Sequence, residues 1–120
     1  MKRVIIADDE LYFHTNLTQG LKSRIPELVV ETVWNGDELV EKVLKGDYVA
    51  IITDYNMGPV RLNGLDASKA IRDAGVTTPI FLYSTNNFRL EDVSSSGITQ
   101  VFDKSDNKSL FDSVVELFDN

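Results

Sequence analysis

The chain has 120 residues, 42% of them hydrophobic and 26% charged, which is expected of one compact globular, soluble domain rather than a disordered chain. Its net charge of -7 argues against direct binding to nucleic acid, whose phosphates call for basic patches, and favours cations or basic partner surfaces. With no cysteine there are no disulfides, thiolate metal sites or cysteine nucleophiles, which suits a reducing compartment.

The opening apolar run, Arg3 to Ala7, is short and rich in β-branched residues, as in a strand buried on both faces. Two acids, Asp8 and Asp9, stop it at once, so the N-terminus reads as neither a signal peptide nor a membrane span. From Glu10 to Arg24 the spacing turns helical: Phe13, Leu17 and Leu21 form one stripe, Lys22 and Arg24 point away, and Pro26 ends the helix. His14, on this helix, has no second histidine or cysteine with which to hold a metal and is expected at the surface or against a partner. Leu28 to Val33 predicts a second strand, and Asn35-Gly36-Asp37 a turn capping a helix that carries Leu39, Val40, Val43 and Leu44. Trp34 and Tyr55 are expected to be partly buried packing residues. Tyr48 to Thr53, the most apolar run, predicts a central third strand ending at Asp54.

Between Met57 and Asn63 no periodicity survives, and Gly58-Pro59 marks a long loop. Gly64 opens a third helix with Ala67, Ala70, Ile71 and Ala74 as a narrow inner face, and Pro79 to Tyr83 predicts a fourth strand. Asn86 to Ser96 predicts only a short or frayed helix, because Leu90 and Val93 give a weak stripe and three consecutive serines are poor helix formers. Ile98 to Phe102 predicts a fifth strand, and Leu110, Phe111, Val114, Leu117 and Phe118 a closing amphipathic helix. Alternating strands and helices imply a parallel sheet, and side chains just past the carboxyl ends of its strands share one crevice. Asp8-Asp9, Asp54, Ser84 and Lys104 all fall at such ends.

Carboxylates brought together there repel unless a cation offsets them, and a hard divalent ion such as Mg²⁺ suits an all-oxygen site. Asp9 and Asp54 are the best side-chain ligands, with Asp8 in the acidic group and the Asn56 carbonyl a further oxygen. Lys104 and Ser84 could bind the oxygens of an arriving phosphoryl group, and an ionised Asp54 could act as nucleophile to give an acyl phosphate. Singly these residues have plainer readings: the acid pair as a helix cap, Ser84 as a loop hydroxyl, Lys104 as a structural partner of the acids.

The order Asp-Asp, Asp, Ser, Lys resembles the receiver domain of two-component response regulators, of the single-domain chemotaxis-regulator kind, over essentially the whole chain. The spacings agree: Ser84 stands thirty residues after Asp54, an apolar run beginning at Pro79 leads into it, and Gly97 lies seven before Lys104. The resemblance implies one receiver domain over residues 1–120, α/β, with a flavodoxin-like doubly wound sheet of order 2-1-3-4-5 and five helices. It implies phosphorylation of Asp54 with Mg²⁺ by a histidine kinase or phosphotransfer protein. The signal would be a phosphorylation-dependent conformational change read by an unknown downstream protein. No direct nucleic-acid contact, no membrane and a cytoplasmic setting are expected, and no enzymatic activity beyond the domain's own phosphoryl transfer and dephosphorylation.

Several positions depart from the family pattern. Gly58 intrudes between Met57 and Pro59 and Gly64 arrives two residues late, so the loop beside Asp54 is longer. Thr85 stands where Ala or Gly is common and would crowd the approach to Asp54, predicting unusual phosphorylation and hydrolysis rates. Val101 replaces the usual switch aromatic, with Phe102 on the opposite sheet face by alternation. Ser105 follows Lys104 in place of proline, where a cis bond would cost about 2.5–4 kcal/mol; the sequence leaves either isomer open. The interval from Ser84 to Gly97 is about two residues short, which agrees with a reduced fourth helix. Two other functions compete: a phosphate-independent interaction module with a vestigial site, and a small-molecule aspartyl-phosphate hydrolase. The latter lacks a cap domain and has Asn56 where its second Asp should be.

Overall fold

The structure is a computed structural model that describes residues 2–59, 61–85 and 90–118. Five strands, β1 (Arg3–Ala7), β2 (Val29–Val33), β3 (Ala50–Asp54), β4 (Ile80–Ser84) and β5 (Gln100–Asp103), form one parallel sheet in the order β2-β1-β3-β4-β5. Five helices alternate with them: α1 (Leu11–Arg24), α2 (Gly36–Lys45), α3 (Gly64–Asp73), α4 (Leu90–Ser96) and α5 (Asn107–Phe118). This is the flavodoxin-like doubly wound architecture that the family resemblance implies.

Strand alternation splits the core into two layers. Ile6, Ile52, Phe81, Tyr83 and Phe102 point to one face and pack with Leu17 and Leu21 of α1 and Leu110, Phe111 and Val114 of α5. Ile5, Ile51, Ile80 and Leu82 point to the other and pack with Leu39 and Val43 of α2 and Ala67 and Ile71 of α3. The helices therefore change faces between β1 and β3, whose carboxyl ends form the crevice of a doubly wound sheet. β3 is central and buried at every position, as its apolar run predicts.

Strand ends shift by a residue or two. β2 starts at Val29, β3 at Ala50 and β5 at Gln100, and β5 is an edge strand with only Phe102 buried. The inner stripe of α1 is His14, Leu17 and Leu21, so His14 is buried and not at the surface. In α3, Ala74 is exposed and Ser68 is buried instead, its hydroxyl donating to the Gly64 carbonyl at 2.7 Å. Leu44 of α2 is exposed. α4 runs from Leu90 to Ser96, short as expected, and the earlier part of the predicted segment, Asn86 to Arg89, lies outside the described residues.

The loop after β3 is long but anchored at both ends. Met57 is buried in the α2/α3 layer, and Asn63 caps α3 by accepting the Asp66 amide at 2.8 Å. Leu62 lies on the start of α2, where a Cβ on Gly36 would come within 2.3 Å of the Leu62 carbonyl oxygen. Arg61 and Asp37 meet at 3.8 Å in solvent, a weak pair. Gly64 closes the loop: its amide donates to the Tyr55 carbonyl at 2.8 Å, and a Cβ there would lie 2.4 Å from the Asp54 carbonyl oxygen. Only glycine lets α3 start this close to the end of β3.

Candidate functional site

Parallel register sets Asp54 beside Tyr83 and Ser84 beside Asp103. Asp54 lies two residues beyond Ile52 and Asp8 two beyond Ile6, so alternation turns both carboxylates to the α1/α5 face at the strand ends. Asp8 is 0% and Asp54 5% exposed, while Asp9 is exposed. Carboxylate oxygens of Asp8, Asp9 and Asp54 lie within 4.8 Å of one another, close enough to share one cation. Asn56, two residues past Asp54, is exposed.

Asp8 is fixed at every polar atom that the strand end offers. Its Oδ1 accepts the Glu10 amide at 2.8 Å and its Oδ2 accepts the Tyr83 hydroxyl. Its own amide donates to Val33 at 3.2 Å, and its carbonyl accepts His14 Nε2 at 2.7 Å. The His14 ring in turn stacks on Trp34, centroids 4.2 Å apart, so the buried histidine ties the acid pair to β2's carboxyl end.

Lys104 brings the opposite charge. Its Nζ stands 3.2 Å from Asp54 Oδ1 and 3.6 Å from Asp8 Oδ2, with the side chain only 15% exposed. It also lies over two ring faces, 4.2 Å from the Phe13 centroid and 5.3 Å from that of Tyr83, a favourable setting for a cation. Its amide donates to the Ser84 carbonyl at 3.2 Å, which brings Ser84, itself buried, to the same rim. Burial pushes the Asp54 carboxyl from 3.8 up to about 6, the Asp8 charge adds to the rise, and Lys104 opposes it. One lysine thus only partly offsets the negative charge gathered here, and three hard oxygen donors fit a hard divalent cation such as Mg²⁺.

All the residues singled out from sequence, Asp8, Asp9, Asp54, Asn56, Ser84 and Lys104, fall at this end of the sheet. Sequence reasoning missed Phe13, His14 and Tyr83, which build the walls. For Tyr83 the signal was present: one position before Ser84, it shares the face of Asp54. The Lys104–Ser105 bond is trans, like every peptide bond among the described residues. Ser105 holds the turn by donating to Asp103 Oδ1 from its amide (2.8 Å) and hydroxyl (2.7 Å). Val101 is 39% exposed and Phe102 is buried on the other face, as alternation predicts. Thr85 is exposed.

Comparison with known proteins gives one consistent result. The family model of the response regulator receiver domain matches residues 4–115. Two-component system protein A of Emericella nidulans is 36% identical over 87 residues, which make up 71% of this chain and 12% of that protein. The protein-glutamate methylesterase/protein-glutamine glutaminase of Idiomarina loihiensis is 34% identical over 85 residues, 69% of this chain and 21% of that protein. The chain therefore spans only a small part of the length of these curated relatives. The crystal structure of response regulator protein TrrA from Thermotoga maritima, in complex with Mg²⁺-BeF, superposes with a TM-score of 0.83 at 28% identity, covering 98% of this chain and 99% of that one.

Proposed function

The chain belongs to the response regulator receiver domain family, and from that premise we propose that Asp54 accepts a phosphoryl group from a phosphohistidine donor, a histidine kinase or a phosphotransfer protein. The observation that carries this reading is the Lys104 ammonium 3.2 Å from Asp54 and 3.6 Å from Asp8, at a strand-end crevice where three carboxylates converge.

In the proposed step an Asp54 carboxylate oxygen forms a bond to phosphorus as the P–N bond of the donor breaks, and the electron pair of that bond stays on the imidazole nitrogen. With its carboxyl pushed up to about 6, Asp54 is ionised at neutral pH and able to attack. Lys104 and the Ser84 hydroxyl would take phosphoryl oxygens, and Lys104 would exchange its carboxylate partner for the new dianionic group. Asp9, Asp54 and the Asn56 carbonyl, beside Asp8, would hold Mg²⁺. When bound, the ion supplies the positive charge that offsets the carboxylates and the transferring phosphoryl oxygens. The Mg²⁺-BeF complex of the similar TrrA protein supports this assignment.

Signalling follows as a shift between two conformations, biased by whichever anion Lys104 holds. Because the Lys104 amide is bonded to Ser84, movement of the lysine is passed to the ends of β4 and β5. No wider activity is proposed for the chain: its chemistry is its own phosphorylation and dephosphorylation, in a cytoplasmic setting. Among the described residues no helix is long and apolar enough to cross a membrane. The convergence of the three acids and Lys104 favours this reading over a vestigial site. Incubation with a phosphohistidine-bearing phosphotransfer protein tests the reading. Label should pass from donor to wild type and not to Asp54→Asn; label that stays on the donor, or reaches both proteins, would refute it.

A further inference from the structure

We propose that Tyr83 is a positioning residue for this phosphoryl transfer: its hydroxyl satisfies the inner oxygen of Asp8 and thereby keeps the Lys104 ammonium on Asp54. The proposal rests on the receiver reading above and adds to it a residue outside the acid, hydroxyl and lysine set.

Tyr83 is 1% exposed, and a phenol hydroxyl buried without a partner is costly. Its ring is placed by register next to Asp54 and packs on Phe13, centroids 5.8 Å apart, so the hydroxyl is delivered to Asp8 Oδ2. Asp8 is fully buried, and its other oxygen is taken by the Glu10 amide at 2.8 Å. Lys104 has two rival carboxylates and is confined between them by the faces of Phe13 and Tyr83, at 4.2 and 5.3 Å. Its 3.2 Å approach to Asp54 is within hydrogen-bond range, and its 3.6 Å approach to Asp8 is not. The difference is a few tenths of an ångström. The phenol occupies the Asp8 oxygen that the ammonium would otherwise claim.

Removing only that hydroxyl leaves a buried carboxylate oxygen with Lys104 as its nearest donor, and the ammonium moves onto Asp8. Asp54 then loses the cation that has to meet the incoming phosphoryl oxygens.

The test uses crystal structures and phosphorylation rates of Tyr83→Phe, with a small-molecule phosphoryl donor and Mg²⁺. Lys104 Nζ is expected within hydrogen-bond distance of Asp8 and outside it from Asp54, with phosphorylation slowed roughly ten- to a hundredfold. In a Lys104→Met background, Tyr83→Phe should produce no further slowing, because the hydroxyl acts through the lysine; a merely structural tyrosine would slow both backgrounds alike. If Tyr83→Phe does not fold, the comparison passes to Asp8→Asn with and without Tyr83→Phe. With no rival carboxylate, Lys104 should stay on Asp54 in both, and its departure would overturn the proposal. A wild type that takes no phosphate overturns the receiver reading together with the kinetic part of this proposal. A wild type that is phosphorylated, with Lys104 unmoved in Tyr83→Phe, overturns the proposal alone.

Discussion

Replacing Asp54 by Asn should stabilise the metal-free protein at neutral pH and leave it little changed in acid. The two side chains are nearly isosteric, so the substitution removes a charge and keeps the shape. Burial, with the Asp8 charge next, pushes the Asp54 carboxyl from 3.8 to about 6. The folded state thus holds that proton more tightly than the unfolded chain. A carboxyl raised in this way contributes stability below its unfolded value, and that stability is lost as pH rises through the folded one. At 1.36 kcal/mol per pH unit the displacement amounts to about 3 kcal/mol. Asp54 as a residue is 5% exposed, yet its carboxylate opens on the crevice, so solvent screening makes about 3 kcal/mol an upper bound. In chelator, urea melts at pH 7.5 should show Asp54→Asn more stable by up to about 3 kcal/mol, with the gap shrinking to about 1 kcal/mol or less at pH 4.5. Adding Mg²⁺ at pH 7.5 should raise wild type toward the variant, because the cation then offsets the same repulsion. A gap that does not change with pH, or a variant less stable than wild type at neutral pH, would refute the reasoning.

Gly64→Ala should destabilise by about 1–3 kcal/mol, since its Cβ would meet the Asp54 backbone carbonyl at 2.4 Å and neither chain can yield without moving β3 or α3; a melt unchanged from wild type would show that the approach is looser. Among the four tyrosines, Tyr48, held up at about 12 by burial and its bond to Glu31, and Tyr83, raised further by burial and Asp8, should ionise late. An ultraviolet titration checks this, and stability should fall as pH climbs from 10 through 12, where the unfolded chain ionises Tyr48 and the fold does not. His14→Ala should cost about 1–3 kcal/mol by leaving the buried Asp8 carbonyl unpaired, and should change the emission of the single tryptophan, Trp34, by removing the ring stacked on it. Trp34 emission identical to wild type would contradict that stacking.

The parallel sheet and the convergence of Asp8, Asp9, Asp54, Ser84 and Lys104 were legible because apolar runs end abruptly at polar residues and a parallel sheet gathers those ends, whereas the strand order came only from the family resemblance. What escaped were polar side chains that spend their polarity inside. His14 stands beside the apolar stripe in sequence, yet its Nε2 meets the Asp8 carbonyl, which makes burial possible, while its neighbour Phe13 faces Lys104. Ser68 replaces Ala74 on the inner face of α3 because its hydroxyl returns to the Gly64 carbonyl. Tyr83 reads as an ordinary core aromatic until register puts it beside Asp54. The Leu62 contact with Gly36 depends on how the 57–63 loop folds back on α2, which periodicity does not encode. The Lys104–Ser105 bond is trans, the default where no proline follows, and Ser105 makes two hydrogen bonds to Asp103 in that turn.

The central claim is that Asp54 is the phosphoryl acceptor. Intact mass measured before and after exposure to a small-molecule phosphoryl donor with Mg²⁺, on wild type beside Asp54→Asn and with a chelator control, tests it most directly. One phosphate-sized increase in wild type alone, lost in chelator, is the predicted result. An increase of the same size in Asp54→Asn, or none in wild type under conditions where Mg²⁺ is bound, would contradict it.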